Sequence, residues 1–378
     1  MNVIFTCGGT GGHINPAIAV ANILKERHPD CNILFIGGQG QMEEELVPKA
    51  GYRLVTLPAS GMSRKLNWNG IKHNVRAVKR ILGGVGACKK ILREFDADVI
   101  IGTGGYVSFN AIMAGKLLKI PTCVHESNAM PGLTTRLVAD LVDRVLICFP
   151  ESARHYRHPE KAEVVGMPVR REFIFTEKEA ARKELGLDER PVVVSVFGSQ
   201  GARAMNLATA ELFRMEQDAS FPFQHIHAVG KYGWDWMPAE VASKGVDLDK
   251  ASSIDMRQYI YNMPTVMAAA DVVIARAGAA TCNEIAATGT PCILIPSPNV
   301  TDNHQEKNAR ALEAAGGAVV VLESECTAQR LMEELTALLG DENRCRQMHK
   351  ALQNMAVPDS AEKICDILTA LASKRAKE

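Results

Sequence analysis

The sequence predicts an α/β protein built from two doubly wound domains. Short, continuous apolar runs alternate with helical patterns along most of the 378 residues, which is typical of parallel sheets covered by helices on both faces. A strand, a loop of small residues and a helical pattern open the chain at residues 3–26, and the same arrangement recurs from residue 192. The chain is also too long for one compact core.

In the first half, five apolar runs predict strands, and helical patterns separate several of them. The predicted strands are residues 3–7, 33–36, 99–101, 122–125 and 145–148. The predicted helices are residues 16–27, 107–118 and 132–141.

The second half repeats this alternation and predicts a second parallel sheet. Proline and glycine residues within 164–171 mark the break between the domains. Because ligands of such folds bind beyond the carboxyl ends of the strands, we expect the site in a cleft between the domains. The predicted elements are strands 192–197, 225–229, 272–275, 292–295 and 318–322, with a helix at 205–215.

Composition and charge exclude several classes of protein. The chain is 47% hydrophobic and 23% charged, with a formal net charge of zero, so it is globular and shows no sign of a nucleic-acid partner. No apolar run reaches 18 residues, and the N-terminus leads directly into a strand, so neither a membrane span nor a signal peptide is expected. The ten cysteines form no C-x-x-C pair, which indicates reduced core residues in a reducing compartment.

The opening loop has the composition of a ligand-binding loop. Four glycines lie within residues 8–12, and His13 follows at the lip of the loop. Asn15 suits the N-cap of the next helix, and Pro16 suits its first turn. Such a loop presents free backbone N–H groups to an anion and lets a ligand approach the backbone closely.

Two common nucleotide signatures are absent from this loop. A dinucleotide fingerprint requires Gly or Ala where Ile14 stands, and an acidic residue at the end of the second strand, where residues 36–38 carry no carboxylate. A P-loop requires Lys and then Ser or Thr directly after the glycines, where His13 and Ile14 stand. We therefore expect no nicotinamide or flavin cofactor and no ATP hydrolysis, and a loop shaped for a phosphate or a sugar.

Two further loops of the first half lie at the carboxyl ends of predicted strands. Gly104, Gly105 and Tyr106 form a second candidate anion site. Residues 125–128, with the sequence HESN, are polar and placed like site residues, but no third or fourth ligand at suitable spacing completes a metal site. The pair His225-x-His227 lies within a predicted strand and is interpreted as structural.

In the second half, residues 276–285 begin a helix with small side chains, which favours a diphosphate at the helix N-terminus. Glu284 lies one turn into this helix. It can accept hydrogen bonds from both hydroxyls of a ribose, or simply favour the helix dipole. Residues 302–306 (DNHQE) are rich in polar groups that suit a sugar ring.

One segment departs from the even charge balance. Residues 46–93 contain no Asp or Glu but eleven Lys or Arg side chains, and the apolar residues within 71–92 recur at helical spacing. This basic amphipathic pattern allows two interpretations, a core-facing helix with a solvated basic face or a surface that rests on anionic lipid headgroups. The residues assigned to membrane docking are Ile71, Lys72, Val75, Arg76, Lys79 and Arg80.

Seven motifs, taken together, resemble those of the GT-B glycosyltransferases. Within that class the chain resembles the peripheral membrane enzymes that add N-acetylglucosamine to undecaprenyl-diphospho-muramoylpentapeptide, the last cytoplasmic step of lipid II synthesis. Ser127 and Met167 stand where that family usually has Gln and Asn. The motifs are GGTGGH at 8–13, GGYVS at 104–108, HESN at 125–128, GMPVR at 166–170, GSQGAR at 198–203, RAGAATCNEIAATGTP at 276–291 and NHQEKNA at 303–309.

The resemblance implies a GT-B fold of two Rossmann-like domains that face each other across a cleft. Residues 1–165 would form an acceptor and membrane-docking domain, onto which a helix at 359–378 packs back, and residues 166–358 would form the UDP-sugar donor domain. The implied location is the cytoplasmic face of the cell membrane.

The resemblance also assigns roles to individual residues. Gly104, Gly105 and Tyr106 would hold the lipid diphosphate, Ile260 would read uracil through its backbone, Glu284 would bind the ribose, and Gln305 would contact the N-acetylglucosamine hydroxyls. The positions implied to contact the donor are Thr10, Gly11, Gly12, Asn128, Arg170, Ser199, Ile260, Ala279, Ala280, Thr281, Cys282, Asn283, Glu284 and Gln305.

The implied reaction is an inverting transfer from UDP-N-acetylglucosamine to the C4 hydroxyl of the muramoyl sugar. His13 is the expected base, because it titrates near neutral pH and lies at the cleft lip; the alternative is that it stabilises developing charge. No D-x-D metal motif is present, and helix N-termini with Arg170 would stabilise the leaving UDP. Two other functions remain open, a UDP-sugar 2-epimerase and a non-catalytic nucleotide-sugar-binding subunit.

Overall fold

The computed structural model describes residues 1–58 and 83–375. The chain divides into two compact units. Unit 1 comprises Met1–Val169 and Val357–Glu378, and unit 2 comprises Arg170–Ala356. Each unit has one parallel sheet with helices on both faces, and the first domain boundary expected from the sequence lies four residues before the observed one.

Unit 1 is organised around a seven-stranded sheet in which every neighbouring pair of strands is parallel. The spatial order is 3-2-1-4-5-6-7 in strand numbers. The central strands are continuous apolar runs because helices cover both of their faces. The strands are β1 (Asn2–Thr6), β2 (Asn32–Gly38), β3 (Arg53–Leu57), β4 (Val99–Gly102), β5 (Thr122–Glu126), β6 (Arg144–Ile147) and β7 (Ala162–Val164).

The first five helices cover this sheet and belong to the connections between its strands. Two short 3₁₀ helices, Pro150–His155 and Pro159–Lys161, link the last two strands. The helices are α1 (Gly11–Arg27), α2 (Glu43–Lys49), α3 (83–94 in the described residues), α4 (Tyr106–Leu117) and α5 (Leu133–Val138).

Unit 2 has a six-stranded parallel sheet with the spatial order 10-9-8-11-12-13 in strand numbers. The order reverses between the first strand of the unit and the fourth, as it does in unit 1. The strands are β8 (Val192–Val196), β9 (Gln224–Ala228), β10 (Ile254–Arg257), β11 (Val272–Ala275), β12 (Cys292–Leu294) and β13 (Ala318–Val320).

Nine α-helices follow in unit 2, with two short 3₁₀ helices, Thr301–Asn303 and Glu323–Glu325. The helices are α6 (Glu172–Phe175), α7 (Lys178–Glu184), α8 (Arg203–Asp218), α9 (Met237–Ser243), α10 (Met263–Ala269), α11 (Ala279–Thr288), α12 (His304–Ala314), α13 (Ala328–Leu339) and α14 (Glu342–Met355).

The last helix, α15 (Ser360–Arg375), returns to unit 1 and packs against α1. Its residues Ile364 and Leu368 belong to the same buried cluster as Leu24 of α1. The thiol of Cys365 donates to the backbone oxygen of Val20 over 3.5 Å. The core of unit 1 therefore includes residues from both ends of the chain.

The N-terminus of α1 differs from the sequence expectation. The helix begins at Gly11 with Thr10 as N-cap, so Asn15 is not the N-cap and Pro16 lies inside the helix. The backbone N–H groups of His13 and Ile14 both donate to the oxygen of Thr10, and these bonds start the helix within the glycine loop. The prediction failed because the two glycines that suit a loop also accept helical geometry.

The described residues contain no helix that is long and apolar enough to cross a membrane. All ten cysteines are free thiols, and eight of them are buried. Burial raises the pKa of several of these thiols, for example that of Cys88 to about 12, so they are protonated core residues at neutral pH.

Candidate active site

In both units several of the candidate residues lie where the strand order of the sheet reverses. In unit 1 this point is between β1 and β4, and the two glycine loops follow these two strands. In unit 2 it is between β8 and β11, and residues 198–203 and 276–285 follow them. Open α/β sheets bind ligands at the carboxyl ends of the strands at such a reversal.

His13 occupies the first turn of α1, and its ring is fixed by the glycine loop. Its Nδ1 atom lies 3.1 Å from the backbone oxygen of Gly8. A carbonyl oxygen only accepts hydrogen bonds, so Nδ1 carries the proton and a neutral ring keeps its lone pair on Nε2. The hydroxyl of Thr103 donates to the backbone oxygen of His13 over 2.6 Å, which ties α1 to the end of β4.

The second glycine loop makes room for the first. A Cβ atom at Gly104 would lie 2.9 Å from three ring atoms of His13, and a Cβ atom at Gly105 would lie 2.8 Å from the oxygen of Gly8. Both glycines also have positive φ angles, 122° and 85°. Tyr106 follows as the first residue of α4 and is 49% exposed. The structure therefore brings the two predicted loops into direct contact.

A carboxylate that the sequence did not single out lies beneath the first loop. Glu43, the first residue of α2, is fully buried. Its Oε2 accepts the Gly9 N–H over 3.2 Å, and its Oε1 accepts the Gly38 N–H over 2.7 Å. The expectation of a loop with free N–H groups for an anion is therefore wrong at Gly9, and the negative charge favours a neutral ligand such as a sugar. Since three consecutive glutamates begin α2, no sequence signal distinguished the buried one.

The HESN loop after β5 is organised by Glu126. Its Oε1 accepts the backbone N–H of Asn128 over 3.0 Å and its side-chain amide over 3.1 Å, and its Oε2 accepts the Gly132 N–H over 2.9 Å. His125 is buried and donates from Nε2 to the backbone oxygen of Gly166 over 2.9 Å. Asn128 is thus held half-buried at the carboxyl end of β5, and the HESN and GMPVR motifs meet within unit 1.

In unit 2 the N-terminus of α11 has the features of an anion site. Gly278 is the N-cap, and no side chain caps the first N–H groups. Ala279, Ala280 and Thr281 are half-buried, and the small side chains of the two alanines leave the backbone accessible. Helix N-termini of this kind favour phosphate groups.

At the start of α11, the side chains of Cys282 and Asn283 are turned towards the core or the helix backbone. The amide of Asn283 donates to the oxygen of Ala279 over 2.8 Å. Cys282 is buried, and burial raises the pKa of its thiol to about 12. Only backbone groups of Cys282 are therefore available to a ligand.

Glu284 lies in the first turns of α11, and the pKa of its carboxyl group is close to neutral pH. Burial raises the pKa of its carboxyl to about 7, and the positive charge of Arg170 acts in the opposite direction. The structure thus brings Arg170, at the start of unit 2, into the electrostatic environment of Glu284. A carboxyl group in this state takes up and releases a proton near neutral pH.

The other predicted donor positions also follow strands of unit 2. Ser199 is exposed after β8, and the side chain of Ile260, after β10, is buried, which leaves only its backbone for a ligand. A Cβ atom at Gly201 would lie 2.2 Å from the oxygen of Val229, so the loops after β8 and β9 touch. Gln305 in α12 accepts the backbone N–H of Ser297 over 2.9 Å with Oε1, which leaves its amide donors available.

His225 and His227 belong to a buried network rather than to a ligand site. His225 joins Oε1 of Glu216 through Nδ1 and the hydroxyl of Ser195 through Nε2, both at 2.7 Å, and Ser195 also lies 2.7 Å from Nδ1 of His227. The order of groups is that of a hydrolase triad, but all four side chains are fully buried, so no substrate reaches the hydroxyl. Burial, with a smaller effect of His225, lowers the pKa of His227 to about 3, which keeps this ring neutral.

The six membrane-docking residues predicted within 71–80 lie outside the described residues. The adjoining helix α3 has its basic side chains Lys90 and Arg93 exposed and its apolar residues Cys88 and Leu92 buried. Among the described side chains, no three of His, Cys, Asp or Glu converge in a way that could hold a metal ion.

Two doubly wound parallel α/β units, each with candidate loops at the reversal of strand order, are the architecture of the GT-B glycosyltransferases. Two family models match the chain: the glycosyltransferase family 28 N-terminal domain over residues 3–147, and the glycosyltransferase family 28 C-terminal domain over residues 192–364. The chain belongs to glycosyltransferase family 28.

Similar curated proteins share one description. An Acetivibrio thermocellus protein is 39% identical over 377 residues, covering 100% of both chains, and a Bacillus cereus protein is 36% identical over 376 residues, covering 99% of this chain and 100% of its own. Both are named UDP-N-acetylglucosamine–N-acetylmuramyl-(pentapeptide) pyrophosphoryl-undecaprenol N-acetylglucosamine transferase, the second with the suffix 1.

Solved structures share the fold. MurG of Acinetobacter baumannii superimposes with a TM-score of 0.78 at 24% identity, covering 98% of this chain and 100% of its own. The UDP-GlcNAc 2-epimerase of Neisseria meningitidis bound to UDP-GlcNAc gives a TM-score of 0.65 at 14% identity, with 98% and 100% coverage. At these identities the likeness concerns the fold alone.

Proposed function

We propose that the chain transfers N-acetylglucosamine from UDP-N-acetylglucosamine to the C4 hydroxyl of undecaprenyl-diphospho-N-acetylmuramoyl-pentapeptide, with inversion at the anomeric carbon. The product is lipid II, the precursor of cell-wall peptidoglycan on which cell shape and division depend. The observation that carries this proposal is the match at 39% identity over the full length of a transferase named for this donor and acceptor.

The donor binds unit 2 in this proposal. The N-terminus of α11, which has no side-chain cap, binds the diphosphate. The carboxylate of Glu284 accepts hydrogen bonds from both hydroxyls of the ribose. The backbone at Ile260 reads uracil, and the free amide donors of Gln305 contact the sugar hydroxyls. Arg170, which lies near Glu284, supplies positive charge for the leaving UDP.

The acceptor binds unit 1, with Gly104, Gly105 and Tyr106 on its diphosphate and His13 at its hydroxyl. The hydrogen bond between Nδ1 of His13 and Gly8 supports a base, since it leaves the lone pair on Nε2. Thr10, Gly11 and Gly12 lie beside this ring and contact the reacting sugar. In the transfer, the C4 oxygen bonds to the anomeric carbon, the bond to the UDP oxygen breaks with its electron pair, and the hydroxyl proton goes to Nε2.

The alternative of a UDP-sugar 2-epimerase has less support. The chain shares its fold with the Neisseria epimerase at only 14% identity, whereas full-length relatives at 36–39% identity are transferases. Incubation with UDP-N-acetylglucosamine but no acceptor separates the two functions, because only an epimerase produces a new UDP-sugar under these conditions.

The basic segment provides the contact with the membrane in this proposal. Its side chains at 71–80 combine apolar and cationic groups at helical spacing, which suits an anionic lipid surface. The described continuation in α3 supports this with exposed Lys90 and Arg93. The ten free thiols support the cytoplasmic face, because thiols persist in a reducing compartment.

His13→Ala should lower kcat roughly 100-fold to 10,000-fold, the usual contribution of a general base. The KM for UDP-N-acetylglucosamine should change little, because the nucleotide-binding residues lie in unit 2. The assay measures transfer of labelled N-acetylglucosamine to a muramoylpentapeptide lipid. It is run with and without a chelator to detect any dependence on a metal ion.

His28→Ala is the matched control, because His28 is exposed at the other end of the same helix. The pH profile separates the two roles of His13. A base requires the neutral ring, so kcat rises with pH, whereas a charge stabiliser requires the imidazolium, so kcat falls. Wild-type turnover in His13→Ala would remove both roles.

The KM for the donor should fall as pH rises, because only an ionised Glu284 accepts hydrogen bonds from both ribose hydroxyls. With its carboxyl pKa at about 7, roughly tenfold weaker binding is expected at pH 6 than at pH 8. Glu284→Gln should raise the KM at pH 8 and remove this part of the pH dependence. Any ionisation of UDP-N-acetylglucosamine itself affects the wild-type protein and Glu284→Gln equally. The control variant Glu333→Gln, which changes an exposed acid of unit 2, should behave as wild type. Equal pH dependence in Glu284→Gln and wild type would contradict the ribose assignment.

Charge reversal at Arg76, Lys79 and Arg80 should lower binding to anionic vesicles roughly 100-fold or more, since each basic side chain contributes about 1 kcal/mol near such a surface. Activity on a soluble acceptor should stay intact. Vesicle co-sedimentation measures the first effect. The control is the same reversal at exposed arginines of unit 2, and persistent vesicle binding of the first variant would contradict the assignment. The control positions are Arg310, Arg330 and Arg346.

A further inference from the structure

A buried carboxylate and the candidate base are joined by a single peptide group. The peptide between Gly8 and Gly9 donates its N–H to Oε2 of Glu43 over 3.2 Å. The carbonyl of the same peptide lies 3.1 Å from Nδ1 of His13. The two hydrogen bonds therefore run in one direction, from His13 through the peptide to Glu43.

The surroundings of Glu43 hold its carboxylate in one position. Oε1 accepts the Gly38 N–H over 2.7 Å. A Cβ atom at Gly8 would lie 2.9 Å from Oε1, and a Cβ atom at Gly37 would lie 2.5 Å from the side-chain Cγ. Two glycines thus admit this side chain, and two backbone N–H groups, one in the loop after β1 and one at the end of β2, fix both of its oxygens.

Hydrogen bonds in series polarise one another inside a protein. A negative charge at the N–H side of a peptide makes its carbonyl oxygen a stronger acceptor. A stronger acceptor holds the Nδ1 proton of a neutral imidazole and stabilises the imidazolium that forms when Nε2 takes up a proton. A carboxylate that contacts a histidine directly has this orienting and stabilising effect in hydrolase triads.

We propose that Glu43 is a positioning residue for the transfer reaction, and that it acts through the Gly8–Gly9 peptide to strengthen the hydrogen bond that keeps the His13 proton on Nδ1 and the reactive lone pair on Nε2. The proposal rests on the proposed function, in which Nε2 of His13 receives the proton of the acceptor hydroxyl. Glu43 itself touches no substrate.

Other titratable groups near this chain are neutral or already engaged. Cys7, which directly follows β1, lies near Glu43, and burial, with a smaller effect of Glu43, raises the pKa of its thiol to about 12. Burial lowers the pKa of His125 on β5, which faces His13, and Glu126 beside it is bonded to Asn128. Within residues 1–58 and 83–375, no lysine or arginine forms an ion pair with Glu43. Glu43 is therefore the charge that acts on the Gly8–Gly9 peptide.

The test is the pH dependence of kcat in Glu43→Gln. We expect kcat to fall roughly 10-fold to 100-fold, less than the loss of the base itself, while the donor KM stays unchanged. Without the negative charge the imidazolium is less stable, so the acidic limb of the profile should move to lower pH. Glu43→Asp, which keeps the charge, should restore part of the rate and the wild-type limb.

Two controls separate positioning from structural support. Glu44→Gln changes the next residue of α2, which is exposed, and should match wild type. In a His13→Ala background, Glu43→Gln should cause no further loss of kcat, because Glu43 acts only through His13. A loss of thermal stability with an unmoved pH limb, or a further loss in the His13→Ala background, would overturn the proposal.

A spectroscopic readout keeps this test independent of the proposed function. The NMR spectrum of ¹⁵N-labelled His13 should show the proton on Nδ1 in both proteins, because the Gly8 carbonyl only accepts hydrogen bonds. The ¹H resonance of this Nδ1–H should lie further downfield in the wild-type protein than in Glu43→Gln, because Glu43 makes the carbonyl a stronger acceptor. This result supports the effect of Glu43 on His13 even if His13→Ala retains turnover. Retained turnover in His13→Ala would contradict only the catalytic role of His13. An unchanged Nδ1–H resonance in Glu43→Gln would overturn the proposed effect of Glu43 on His13.

Discussion

The close approach of two backbones at the carboxyl ends of β1 and β4 is the constraint on which the active-site half of unit 1 depends. The Gly8 carbonyl and the His13 ring occupy the space that side chains at Gly105 and Gly104 would fill. Because neither position tolerates a Cβ atom, the close approach of the loop after β4 fixes the loop after β1, together with the hydrogen bond from the Thr103 hydroxyl to the His13 backbone oxygen. The His13 ring and the Gly8 carbonyl thus explain why residues 104 and 105 are glycines. This explanation does not depend on an anion binding to the second loop.

Unit 2 uses the same steric device for a different electrostatic purpose. A Cβ atom at Gly201 would lie 2.2 Å from the Val229 oxygen, closer than the 2.8 Å between a Cβ atom at Gly105 and the Gly8 oxygen. The first loop of unit 1, however, carries the negative charge of Glu43 beneath it, whereas the N-terminus of α11 has no side-chain cap. A carboxylate repels a phosphate and a helix N-terminus attracts one, so the difference suits a diphosphate in unit 2 and hydroxyl chemistry in the first loop of unit 1.

The sequence predicted the central strands and the loops at their ends, but not every element around them. Apolar runs identified strands that helices cover on both faces, whereas β3, β7 and β10 were missed because they lie at sheet edges, where part of the strand stays exposed. Asn15 and Pro16 suggested a helix start that the glycines moved to Gly11. Glu43 was missed for another reason: its role depends on a contact with Gly9 across 34 positions of the chain, which no local pattern encodes. Motif spacing predicted candidate ligand-binding residues at the ends of strands, but it did not predict the buried glutamate beneath the first loop.

The return of α15 to unit 1 has a consequence for synthesis on the ribosome. The face of α1 that carries Ala17, Val20 and Leu24 is covered by residues from the last turns of the chain. This face must therefore remain uncovered while all of Arg170–Ala356 is translated, a delay of roughly 10–40 s at ordinary rates of elongation. Unit 2 is continuous in sequence and can complete its core before the N-terminal unit does. The two cores can then be completed in the reverse of their order of synthesis, and the nascent chain meanwhile exposes an apolar helix face of the kind that chaperones shield.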